Sequence, residues 1–98
     1  MKLNKFDREL ILGKIKTLTN DRESRINLRR NFQRKDLEPA VIEFDTGRDK
    51  LKFNSEELAI LRKKKNAAQA MVNSCDIEIE LLDENIERLE KILIDNKF

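Results

Sequence analysis

Eleven positions in the C-terminal half of the chain constrain its fold most: Leu58, Leu61, Lys65, Ala68, Val72, Cys75, Ile79, Leu82, Ile86, Leu89 and Leu93. Steps of three and four alternate between them without a slip, the spacing of one helix face, and only Lys65 is charged. The spacing predicts a single helix over about residues 55 to 95, on the order of 60 Å long at 1.5 Å per residue. Asn54, with Glu57 three residues on, is a capping signal at its start. Inside it, Ile77, Glu78, Ile79, Glu80 and Leu81 alternate like a half-buried strand. The unbroken seam makes that alternation a coincidence within the helix. So long an apolar ridge is not stable bare in water. It needs a cover, either the N-terminal helices folded back, a second copy of the chain, or both.

The N-terminal half supplies candidates for that cover. Asn4 caps a first helix running to about Leu18, with Phe6, Leu10, Ile11, Ile15 and Leu18 on one broad face. Gly13 is a weak spot costing about 1 kcal/mol against Ala, and it permits close helix approach. Thr17, Thr19, Asn20 and Asp21 are poor helix-interior residues, and Asn20 with Glu23 resembles a capping box. The expectation is therefore a second helix over about 21–36, with one bent helix over 4–36 as the alternative. Pro39 disfavours the helical conformation at Glu38 and ends this section near Asp36. Residues 41–53, VIEFDTGRDKLKF, then read as a small β-hairpin with a loop from Thr46 to Asp49. Pairing Asp45 with Lys50 sets Phe44 opposite Leu51, Glu43 opposite Lys52 and Ile42 opposite Phe53, giving one apolar face and one of opposite charges.

The resulting expectation is a mainly α fold. A long C-terminal coiled-coil helix packs with one or two N-terminal helices, a small β-hairpin lies between them, and the assembly is an elongated homo-oligomer. With 98 residues, 39% apolar side chains and five aromatics, one domain over 1–98 is the expected organisation. A 41% share of charged residues suits long, solvent-laced helices. One cysteine allows no internal disulfide, and the lack of histidine argues against structural zinc and His-based catalytic triads. No cofactor or metal is expected. The first ten residues carry acids and lack an apolar signal core, and no stretch is apolar enough to span a membrane; these features suggest a soluble, cytoplasmic protein that does not engage membranes.

Charge is unevenly placed. Residues 1–66 hold 18 basic and 11 acidic side chains, net +7, whereas residues 67–98 hold 3 and 8, net −5. In a parallel dimer Glu78 would face Asp83 of its mate, a like-charge contact, so an antiparallel homodimer is favoured, with Arg62 near Glu90 and Cys75 near the centre. Two charged surfaces are candidate partner sites. The first is basic: Arg22, Arg25, Arg29, Arg30 and Arg34 cover about half of a helix circumference and Lys35 lies on the other side. A chain folded back would bring them towards Arg62, Lys63, Lys64 and Lys65, enough to neutralise phosphates. The second is acidic: Asp76, Glu80, Asp83, Glu84 and Glu87, with Glu78 and Glu90, form a negative rod suited to a basic groove on a target. A bland reading stands beside both, in which arginines meet carboxylates of another copy and the remaining charges are solvated. Cys75 reads as a small core residue and Lys65 as a register-setting or snorkelling one.

No glycine-rich phosphate loop, nucleophile elbow or His-bearing metal motif is present, so the expectation is a non-enzymatic protein. Its expected role is a self-associating coiled-coil adaptor or inhibitor acting by contact with another protein. Small size and abundant Lys, Asn and Ile suit a phage or mobile-element regulator. The alternative is a dimeric nucleic-acid-binding protein that uses the basic helix and the Arg62 to Lys65 cluster.

Overall fold

A computed structural model describes residues 3–50 and 54–96. Helix α1 covers Lys5–Phe32, a π-helical turn covers Gln33–Leu37, α2 covers Glu38–Lys50 and α3 covers Ser55–Asp95. The protein is mainly helical, and no strand occurs among the described residues. Asn4 Oδ1 accepts the backbone N–H of Asp7 at 2.7 Å, and Asn54 Oδ1 accepts that of Glu57 at 3.2 Å. Two of the three N-terminal caps read from the sequence, at Asn4 and Asn54, are thus formed, each giving one orphan donor of a first turn a partner. The long helix lies where the seam places it.

Three expectations for the N-terminal half do not hold. First, no break separates helices at 18–21, because α1 runs through Asn20 and Asp21; on this point the alternative, one helix through this stretch, is the reading that holds. The hydroxyls of Thr17 and Thr19 bond to the carbonyls of Gly13 and Ile15 four residues back, so they are satisfied inside the helix and do not compete with it. Second, Pro39 does not stop the helix. A π turn precedes it, and the Glu38 N–H reaches back five residues to the carbonyl of Gln33. Widening the helix by one residue just before the proline accommodates a ring that would otherwise strike the carbonyl of Lys35. Third, the hairpin of 41–53 is absent as far as residue 50, which ends α2; residues 51–53 lie outside the described residues. Val41 is half-buried, Phe44 and Gly47 are buried and Ile42 is exposed, a period near three and not two. Glu43, expected opposite Lys52, instead pairs with Lys64 of α3 at 2.9 Å.

The chain divides into two compact units. Unit 1 comprises Met1–Ile26 and Ile77–Phe98; unit 2 comprises Asn27–Asp76. In unit 1, α1 and α3 segments run antiparallel, as Arg22 pairs with Asp83 and Arg25 with Glu78. Unit 1 contains no fully buried residue among those described. Its contact is made by half-buried Ile11, Ile15, Leu18, Ile26, Ile79, Leu82, Ile86, Leu89 and Leu93. Unit 2 is also antiparallel, with Arg29 paired to Asp76 and Glu43 to Lys64. Leu37, Ala68 and Val72 form its core, flanked by Phe32 and Val41, and Ala40, Phe44 and Cys75 are buried as well.

Candidate functional site

The eleven seam positions of α3 all face away from solvent to some degree. Ala68, Val72 and Cys75 are buried and the other eight, Leu58, Leu61, Lys65, Ile79, Leu82, Ile86, Leu89 and Leu93, are half-buried. Their cover is drawn from the N-terminal helices of the same chain. Eight of the eleven positions nevertheless keep part of their surface in water under that cover. Lys65 is a half-buried cation in an apolar row, and its ammonium lies 4.7 Å from the centre of the Phe44 ring. Arg62, one turn earlier on α3, stands 5.7 Å from the same ring. The negative ring face gives Lys65 a partner that an aliphatic neighbour would not, so the charge is tolerated in the seam.

The basic and acidic candidates meet in part. Arg22, Arg25 and Arg29 recur every three to four residues on α1, and Asp76, Glu78 and Asp83 line the facing flank of α3. They make three ion pairs: Arg22 with Asp83, Arg25 with Glu78 at 2.9 Å, and Arg29 with Asp76. Arg29 also donates to Gln33 Oε1 at 2.8 Å. These side chains stay about 36–49% exposed, so the pairs set register more than they stabilise, at up to ~1 kcal/mol each. Arg30, Arg34, Lys35, Arg62 and Lys63 are exposed and form no ion pair among the described residues, while Lys64 holds Glu43. Glu80, Glu84 and Glu87 are exposed and likewise unpaired within that set.

Sequence reasoning missed an apolar outer surface. In unit 1, Phe6 is 67% exposed, Leu10 and Leu12 52%, Ile77 58% and Leu81 54%; in unit 2, Ile42 and Ile60 are exposed too. Phe6 and Leu10 belong to the face expected to be covered, but the covered row begins one position later, at Ile11 and Ile15. The signal was present in Ile77 and Leu81, two apolar residues one turn apart and off the seam, within the alternation read as coincidence. On α1, Glu9, Leu10, Gly13, Lys14, Thr17 and Leu18 line an open groove of about 520 Å³. Gly13 lies at its floor with nothing within 4 Å of where a Cβ would stand, so the close approach expected there is not made within the chain.

Among the described residues, no three His, Cys, Asp or Glu side chains are grouped as metal ligands would be, and no helix is long and apolar enough to cross a membrane. Comparison with protein-family models, curated proteins and solved structures finds no match to this chain.

Proposed function

We propose that this chain is a non-enzymatic binding protein, a self-associating helical adaptor or inhibitor that works by protein–protein contact. The observation that carries the reading is the apolar surface of unit 1, where large side chains stand half or more in water and none of the described residues is fully buried. A two-helix layer has two open edges, and helical proteins ordinarily close them with further helices. Exposed apolar residues rimmed by charge are the signature of a surface that meets another protein. Three of the basic residues that a nucleic acid would need are engaged by carboxylates of the same chain, which favours a protein partner. The coiled-coil character of α3 and a cytoplasmic setting belong to the same reading.

A second reading keeps nucleic acid as the partner of Arg30, Arg34, Lys35, Arg62 and Lys63, which are exposed and unpaired among the described residues. The two readings separate in salt. Sedimentation equilibrium over a concentration series is expected to reveal a dimer or larger assembly that persists at high ionic strength, because apolar burial drives it. Titration with random duplex DNA and with single-stranded RNA at low salt is expected to show no saturable binding. A concentration-independent monomer, together with tight nucleic-acid binding that weakens steeply with salt, would replace the first reading by the second.

A further inference from the structure

We infer that the outer face of α3 is a self-recognition surface, on which Ile60 and Lys63 of one copy of this chain meet Leu81, Glu80 and Glu84 of another in an antiparallel α3-to-α3 contact. The inference rests on the self-association proposed above and assigns it a surface. Beside its inward seam, α3 carries a second row that runs from Ile60 to Glu84 in unbroken alternating steps of three and four, and every position in it is exposed. Ile60, Ile77 and Leu81 of this row stand more than half in water. Two charges on this face have no answer within the chain. Lys63 has Ala59, Ile60, Asn66 and Ala67 three and four residues away, and so no carboxylate in reach along its helix. Glu80 has Ile77 and three like charges, Asp76, Asp83 and Glu84; Arg29 and Arg22 answer the two aspartates, but no cation among the described residues answers Glu80. Lys63 and Glu80 lie on one helix about 25 Å apart at 1.5 Å per residue, so they can pair only between copies.

The row is complementary to itself. A two-fold axis at the level of Val72 sets Ile60 of one copy opposite Glu84 of the other, Lys63 opposite Leu81, Ala67 opposite Ile77 and Ala70 opposite Ser74, each contact occurring twice. Such an axis brings each edge of the row against the same edge of the mate. Lys63 and Glu84 share an edge, and Glu80 lies just outside it, so Lys63 reaches both carboxylates of the mate. Ile60 and Leu81 share the other edge and meet there, and Met71, exposed just outside it, lies beside its counterpart near the axis. Ala67, Ala70 and Ser74 let the two helices come close at the centre, where Ile77 covers Ala67 and Leu81 covers the aliphatic stem of Lys63. A parallel, in-register pairing would instead put Lys63 against Lys63 and Glu80 against Glu80. A different protein would have to present a lysine and a pair of carboxylates at matching places on either side of small residues. The α3 of a second copy already does, and it is the occupant assigned.

The test compares sedimentation equilibrium of the full chain with that of four variants, with helix content followed by circular dichroism. The wild type is expected to dimerise. Ile77→Ser/Leu81→Ser should be monomeric over the same concentrations and keep its helix content, because both side chains are exposed in the single chain. Lys63→Glu should weaken the dimer by about tenfold, since like charges replace ion pairs at two places, and Lys63→Glu/Glu80→Lys/Glu84→Lys should restore it. Arg34→Glu, the same change of charge off this face, should leave the dimer as it is. A wild type that stays monomeric overturns both this site and the self-association it rests on. A wild-type dimer that withstands Ile77→Ser/Leu81→Ser, that the triple reversal does not restore, or that Arg34→Glu weakens as much as Lys63→Glu, overturns the site alone and leaves self-association through another face.

Discussion

The two units use the same antiparallel helix pairing to different effect. Unit 2 contains every fully buried residue among those described, including Ala40, Phe44, Ala68, Val72 and Cys75, whereas unit 1 has only half-buried ones. The difference follows from side-chain size at the contact. Ala40, Ala68 and Cys75 let neighbouring backbones come close, so a valine and a phenylalanine between them lose nearly all contact with water. In unit 1 the facing rows are Ile and Leu apart from Arg22, and in a layer only two helices wide such long side chains overhang the edges. The lesson is that a continuous apolar ridge does not make a continuous core. Small residues decide where a thin fold dries out, and large ones leave surface for a partner.

The contrast can be broken by truncation. Phe44→Ala in unit 2 should cost roughly 3–5 kcal/mol, since it removes a buried ring and leaves Lys65 without its partner. Ile86→Ala in unit 1 should cost about 1–2 kcal/mol, because part of that side chain is already in water. Urea titrations followed by circular dichroism measure both, and equal losses would dissolve the distinction. Overpacking sharpens it: Ala68→Leu should destabilise by about 1–3 kcal/mol for want of space around a buried alanine, while the volume-conserving Leu89→Met should cost less. The smallest effect belongs to the ion pairs. A double-mutant cycle on Arg25 and Glu78 should give a coupling of at most ~1 kcal/mol. That coupling should fade as salt rises from about 0.1 to 1 M and the Debye length falls from roughly 10 to 3 Å. A larger, salt-resistant coupling would mean that charge, not apolar contact, holds unit 1 together.

Much of the fold could be read in the chain itself, and the misreadings share a cause. Asn4 and Asn54 cap helices, yet Asn20, with the same three-residue spacing to Glu23, does not. A capping side chain offers a local alternative to the helix, and that alternative loses where Leu18, Arg22 and Ile26 keep a packed row going on both sides of it. The hairpin failed for a related reason. A short alternation such as Ile42, Glu43, Phe44 and Asp45 fits a strand as well as about one turn of helix, and in the helix Phe44 lies across from Arg62 and Lys65. The basic and acidic surfaces were legible as residues but not as pairs, since nothing in the order of the chain says that Arg22 meets Asp83.

The pattern by itself determined that α3 exists and which eleven of its side chains turn inward, because that face recurs in alternating steps of three and four from Leu58 to Leu93 and the short alternation at 77–81 does not break it, while the Asn54 cap marked its start. Tertiary structure alone decided who covers that face, that Pro39 is absorbed by a π turn, and that only the segment with small residues closes into a dry core. These are outcomes of contact between residues far apart in the chain. Their energies depend on what each side chain meets, which a one-dimensional pattern does not contain.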